Sequence, residues 1–292
     1  MNTPKEVAQN YVATGVAKSK LSVVNMLILG ILAGMFIALA GVGSTIAPAS
    51  IAGSALYSIG RVLSASVFPV GLAMVLLAGS ELFTGNCLMI ISVMEREVRL
   101  RAMLRNWLFV YIGNFIGSIL VATLTVYGGT YSLFGNGAAV QAISTAITKV
   151  SLPFGHVLLR GILCNFLVCI AVWISAAAKD VAGKIIGLFL PIMLFVLCAY
   201  EHSIANMYYI PTGIMAIGNP DYVAAYAAAY GENSNVAMTA LSWGNMITKN
   251  LIPSTLGNII GGTFLVGMAY WFLFVRDPNK KAPVVNTTGK KK

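Results

Sequence analysis

The sequence predicts an all-α polytopic membrane protein: six transmembrane helices in an inverted 3+3 repeat, with the second and fifth helices broken at mid-membrane. Three observations carry this. Apolar residues make up 58% of the chain and charged residues 10%, against about 25% charged in a soluble domain, and the mean hydropathy is +0.82. Two apolar stretches are too long for one crossing and hold their charge near the middle. In both, a Glu is followed five residues later by an Asn, Glu81 with Asn86 and Glu201 with Asn206.

At about 20 apolar residues per crossing, 292 residues make one transmembrane domain over 1–292 with short loops and no separate soluble unit. Residues 1–22 contain Lys5, Glu6, Lys18 and Lys20 and no compact apolar run, so they do not read as a cleavable signal. Val7, Tyr11, Thr14 and Val16 stand at helical spacing for an amphipathic segment lying on the membrane surface. The spans follow at residues 23–46, 62–94, 103–127, 154–178, 185–215 and 251–274. Arg61 makes the segment 49–66 too polar to cross and sets it at the outer face. The Tyr-rich stretch 218–242 is external.

Fifteen of the nineteen basic residues fall in the N-terminal segment, in the loops around Arg96 to Arg105 and Lys179 to Lys184, and in a basic tail over 277–292 with Arg276 beside it. That bias sets both termini in the cytoplasm of a cell-membrane protein. It also explains the net charge of +10 as topology rather than nucleic-acid binding. Cys87, Cys164, Cys169 and Cys198 lie in apolar stretches and read as small buried hydrophobes. With two histidines in the chain, no metal site or cofactor is expected.

At about 1.5 Å per residue, spans two and five overrun a hydrocarbon core of about 30 Å unless they break. The candidate breaks are 79–86 and 200–206, rich in the Gly, Ser and Asn that an unwound backbone uses. The following helices also match, Gly113-Asn114 through Gly117 and Gly257-Asn258 through Gly261. Three spans per half make the repeat inverted, and broken helices at matching positions point to a substrate path at the repeat interface. Gly30 with Gly34, and Gly113 with Gly117, form close-packing seams.

His202 is the sharpest candidate for chemistry, because a titratable ring at mid-membrane is costly and functional by default; the plainer reading is a satisfied core histidine. Desolvation favours its neutral ring and an approaching anion the protonated one. Thr84 offers a hydroxyl donor in the first break, or a local cap. Asn114 and Asn258 either face the path or glue helices together. Glu81 and Glu201, with Asn86 and Asn206, read as structural, the carboxylates accepting backbone hydrogen bonds; a cation or proton relay is the alternative. Lys149 either draws anions to the outer mouth or is solvated or lipid-facing.

The run Tyr200-Glu201-His202-Ser203-Ile204-Ala205-Asn206-Met207, with Glu81-Leu82-Phe83-Thr84, Asn165-Phe166-Leu167-Val168-Cys169 and Asn250 through Gly262, resembles the signature segments of the formate/nitrite transporter family, and over the whole chain its hydrosulfide channel branch. The resemblance implies an aquaporin-like fold assembled as a homopentamer, with one pore per protomer for a small anion: hydrosulfide, formate or nitrite. It implies that Thr84 faces a central His202 across a mobile break and that Asn258 is a pore-facing amide. Phe68, Leu72 and Phe195 match a cytoplasmic constriction, Leu82, Phe83 and Val168 an outer one, and Lys149 the outer vestibule. Thr84-Gly85-Asn86 is closer to the nitrite and hydrosulfide forms than to the formate form. A proton-coupled formate or nitrite transporter is the alternative. A water channel would carry paired Asn-Pro-Ala motifs, and a thiol oxidoreductase exposed cysteine pairs or haem-ligand histidines, neither of which fits.

Overall fold

A computed structural model describes residues 1–51, 56–231 and 234–277. Beyond residue 277 the expected basic tail lies outside the described residues. All regular elements among the described residues are helices. Helix α1 (Pro4–Ser19) opens on a capping box: the Thr3 hydroxyl accepts from Glu6 N, and the Glu6 carboxylate accepts from Thr3 N at 2.6 Å. Helix α2 (Val23–Ile46) is capped by Ser22. A broken pair follows, α3 (Ser58–Leu77) and α4 (Phe83–Met94), then α5 (Leu100–Tyr127). On the far side α6 (Gly137–Ser151) leads into α7 (Phe154–Ala177). The second broken pair is α8 (Val181–Leu197) and α9 (Ser203–Ala216). Short helices α10 (Pro220–Tyr230) and α11 (Ser234–Met238) precede α12 (Trp243–Phe274).

Five of these helices, α2, α3, α5, α7 and α12, are long and apolar enough to cross a membrane. The sixth crossing is made jointly by α8 and α9. Hence the six expected spans are present, and the inverted repeat is visible in how the halves pack. Helices α2 and α5 meet at Gly30 and Gly113, where a Cβ on Gly30 would stand 2.9 Å from Val110 O. In the other half α7 and α12 meet at Gly161 and Gly257, where a Cβ on Gly161 would stand 2.9 Å from Ser254 O. Backbones at this separation exclude any side chain, so the small residues fix each helix pair.

Three expectations need correction. The segment around Arg61 is not laid on the outer face. It is the start of α3, because the Arg61 guanidinium donates to Val196 O (2.6 Å) and Leu197 O (3.1 Å) at the C-terminal end of α8, where the helix dipole is negative. Helix α1 does not offer a free apolar stripe but packs on the other helices. Val7 and Ala8 are fully buried, Tyr11 stacks on Trp173 at 5.6 Å, and the Ser92 hydroxyl donates to Tyr11 O and Val12 O; Thr14 and Val16 of the expected stripe are half-buried. Cys87, Cys164 and Cys169 are buried as expected, but Cys198 is exposed in the second break.

Candidate functional site

The two breaks have the same construction. Helix α3 ends at Leu77 and the chain unwinds through Gly79, whose φ of +78° is open to glycine without steric cost. Helix α8 ends at Leu197, and Ala199, the matching residue, takes φ +56°. After each break the next helix starts on the amide of an asparagine from the neighbouring long helix. Asn114 Oδ1 accepts from Phe83 N at 3.0 Å, and its NH2 donates to Gly30 O and Glu81 O. Asn258 Oδ1 accepts from Ser203 N at 2.9 Å, and its NH2 donates to Gly161 O and Glu201 O. Asn258 is therefore not a pore-facing amide. Its donors and acceptor are spent on backbone that has no helical partner, the requirement that unwound chain in a membrane must meet.

The glutamates are structural, but their partners are side chains, not backbone. Lys18 Nζ lies 2.7 Å from Glu81 and 2.8 Å from Asn86 Oδ1, and Asn86 donates to Glu81 and to Asn106. In the mirror set Lys149 Nζ lies 3.2 Å from both Glu201 oxygens, while Asn206 and Asn250 donate to Glu201. Lys18, Asn106 and Asn250 are not among the site residues that the sequence suggested. A repeated spacing marks them: Lys18 stands twelve residues before Gly30 and Lys149 twelve before Gly161, while Asn106 and Asn250 each stand eight before the matching Asn114 and Asn258. Lys149 is neither solvated nor lipid-facing. It is one half of a buried ion pair and also lies over the Tyr209 ring, 5.4 Å from its centroid.

At the centre the mirror breaks down, and that is where chemistry becomes available. Leu82 and Thr84 of the first break correspond to His202 and Ile204 of the second. Thr84 and His202 meet across the interface, Oγ1 to Nε2 at 3.0 Å, both buried. His202 Nδ1 accepts from Ala205 N at 3.0 Å, as the N-cap of α9. An acceptor Nδ1 carries no proton, so the neutral ring holds its hydrogen on Nε2 and presents it toward Thr84. Thr84 is held in turn, its carbonyl accepting from Asn165 Nδ2 at 3.2 Å and facing Cys169 Sγ at 3.5 Å.

Apolar side chains flank this pair. Phe68 meets Phe195 edge to face, centroids 5.5 Å apart, and Phe195 stacks on the His202 ring at 5.8 Å. Leu72 is buried one turn closer to the break, and Leu82 and Val168 are buried as well. The two groups lie in reverse order to that expected. Phe68 and Phe195 share a cavity of about 130 Å³ with Lys149, Arg61, Arg160 and His202, on the side opposite α1. Leu82 lies between Thr84 and Glu81, which is bound to Lys18 of α1. The reason is direction: α3 runs from the far side inward, so its earlier residues stand farther from α1. Phe83 is also displaced, its ring packing against Trp107 (5.7 Å) and Tyr111 (5.0 Å) in an apolar groove between α5 and α12. Among the described residues no group of three or more His, Cys, Asp or Glu is placed to hold a metal ion.

Comparison with known proteins agrees with this fold. A sequence model described as "Formate/nitrite transporter" matches residues 5–272. The chain is 36% identical to the uncharacterized transporter YrhG of Bacillus subtilis, over 95% of this chain and 96% of that one. It is 33% identical to the formate channel FocA of Escherichia coli, over 94% and 95%. Among solved structures, one described as a pentameric formate channel with formate bound superposes with a TM-score of 0.70 at 32% identity, covering 87% of this chain and 98% of that one. A second, described as an FNT family ion channel, gives 0.74 at 26%, covering 91% and 98%.

Proposed function

The chain belongs to the formate/nitrite transporter family, a multi-pass membrane protein and not an enzyme, and from that premise we propose that it is a channel for small monovalent weak-acid anions. Hydrosulfide is the favoured substrate, with formate or nitrite also carried. The whole chain is then one channel domain in the cell membrane, with residues 1–22 and the tail from 277 in the cytoplasm, as the basic-residue bias supports. Assembly as a homopentamer with a pore in each subunit is supported by the solved relative described as pentameric.

The observation that carries the reading is the buried contact of Thr84 with His202, 3.0 Å, between two apolar constrictions. An anion leaving the cavity beside Lys149 sheds water at Phe68, Leu72 and Phe195, a constriction of the kind that gates by dewetting. It then meets an Nε2–H and a hydroxyl, two neutral donors that replace lost hydration. It leaves past Leu82 and Val168 toward Lys18. A narrow apolar filter would favour a small ion such as hydrosulfide, and Thr84-Gly85-Asn86 is closer to the nitrite and hydrosulfide forms than to the formate form. The cap on Nδ1 weighs against the alternative of a proton-coupled carrier. Giving up a proton while staying a neutral ring requires a second proton on Nδ1, and this would break the bond to Ala205 N.

Uptake of hydrosulfide, nitrite, formate and chloride into liposomes, with His202→Ala alongside, tests the proposal. Hydrosulfide is expected to pass fastest and chloride poorly. Dominant formate flux would refute the preference. No flux of any of the four, or an indifferent His202→Ala, would refute the channel mechanism.

A further inference from the structure

The cavity outside the Phe68–Phe195 constriction holds three cations, Arg61, Lys149 and Arg160, and they are not equivalent. Lys149 is cancelled by Glu201, both carboxylate oxygens lying 3.2 Å from its Nζ, so at a distance the pair acts as a dipole. Arg61 is held down on Val196 O and Leu197 O. Among the described residues the half-buried Arg160 has no hydrogen bond and no ion pair through its guanidinium. Its backbone is nonetheless fixed, since Arg160 O accepts from Glu201 N at 3.3 Å, one residue from His202.

The mirror half shows what this position requires. The residue whose carbonyl accepts from Glu81 N, at 3.2 Å, is Leu29. The architecture of the break is therefore satisfied by a leucine here, and the charge on Arg160 is not a structural demand of the fold. Five donors without a protein partner, lining a cavity with the hydroxyl-bearing residues Ser144, Thr145 and Thr148, suit a partly hydrated monovalent anion.

Resting on the channel reading above, we propose that Arg160, rather than Lys149, supplies the charge that captures the anion in the outer vestibule before it enters the constriction, because its guanidinium is neither cancelled by a carboxylate, as Lys149 is, nor tied to backbone carbonyls, as Arg61 is. Arg160 is a substrate-recruiting residue, and Lys149 holds the break.

The test is current in planar bilayers against outer-side concentration of formate and of hydrosulfide, with Arg160→Leu and Arg160→Lys. Leucine occupies the mirror position, so Arg160→Leu is expected to fold. It should raise the half-saturating outer concentration about tenfold, the lower end of electrostatic focusing, with the saturating current kept. Arg160→Lys should stay near the parent. If Arg160→Leu does not fold, the parent decides: its outer half-saturation must rise when an impermeant salt such as gluconate is added. A conducting parent with an indifferent Arg160→Leu, an Arg160→Lys as impaired as Arg160→Leu, or a parent insensitive to salt overturns this inference alone. A parent passing neither anion removes the channel reading and the inference together.

Discussion

Thr84 Oγ1 and His202 Nε2 stand 3.0 Å apart, joining the two broken helix pairs at the one place where the repeat loses its symmetry. Because His202 Nδ1 is committed to Ala205 N, Nε2–H is the donor of this contact. Thr84→Val removes the acceptor and leaves that donor unpaired in a buried site, at about 1–3 kcal/mol. Transport should fall about 5- to 150-fold if the same energy is withdrawn from the passing anion, and Thr84→Ser should retain most of it. Flux of Thr84→Val equal to the parent would remove Thr84 from the path.

The ion pairs differ in depth, and their variants should differ in cost. The side chains of Lys149 and Glu201 are 14% and 3% exposed, those of Lys18 and Glu81 23% and 9%. Lys149→Met leaves a buried carboxylate without its cation and should cost about 3–5 kcal/mol. Adding Glu201→Gln to it should recover much of the loss. Lys18→Met should cost about 1 kcal/mol, because water reaches that end. Thermal unfolding in detergent measures all three; a double variant no better than Lys149→Met would show that the pair is not the source of the loss.

Asn258 separates glue from pore. Asn258→Ala deletes the bonds to Ser203 N, Gly161 O and Glu201 O, each worth about 1 kcal/mol net, and should lower stability by about 3 kcal/mol. Asn114→Ala should do the same through the mirror contacts. An Asn258→Ala protein with parental stability and altered ion selectivity would return the amide to the pore.

Much of this plan was legible in the residue order. The spans follow from apolar length, and α2 occupies the expected 23–46. The breaks follow from Glu81 and Glu201, charges no continuous lipid-facing helix would carry. What eluded the reading was partnership across sequence distance. Lys18 lies in a polar segment that looks amphipathic, and only the position of Glu81 in space turns it into a counter-ion. The roles of Asn114 and Asn258 were open because an amide serves backbone and ligand equally well, and burial against an unwound strand decides between them. Arg61 looked too polar to cross because the carbonyls that satisfy it belong to a helix more than a hundred residues away. The reversed order of the constrictions was available from the direction of the second span, since a helix running inward meets Phe68 before Leu82.

Acid should loosen the N-terminal helix. The backbone N–H and then the hydroxyl of Thr3 hold Glu6 below the ordinary glutamate value of 4.5. A carboxyl depressed in the folded state adds stability that is fully present above 4.5 and is lost as pH falls through the lower folded value. Hydrogen exchange of the first turn of α1 should therefore quicken, after correction for intrinsic rates, as pH falls below about 4.5, and Glu6→Gln should abolish that dependence. A flat profile in the parent would show that docking by Tyr11 and Val7, rather than the capping box, sets the order of this turn.

The two breaks also store unequal strain. At the first, Gly79 adopts φ +78° with no heavy atom within 4 Å of an added Cβ, so its glycine serves the backbone angle alone. At the second, Ala199 takes φ +56°, where a Cβ crowds the following carbonyl at about 1–2 kcal/mol. Ala199→Gly should relieve this crowding. Part of the relief returns as the greater entropy of glycine in the unfolded chain, about 0.4–1 kcal/mol, so the net gain should lie between about 0 and 1.6 kcal/mol. The converse exchange, Gly79→Ala, imposes the same crowding, offset in part by the same unfolded-chain term, and should destabilise by up to about 1.6 kcal/mol. Paired unfolding curves of the two variants give the sign directly. If Ala199→Gly lowers stability while Gly79→Ala is neutral, the left-handed angles are not what distinguishes the two breaks, and the choice of residue at each must come from what passes beside it.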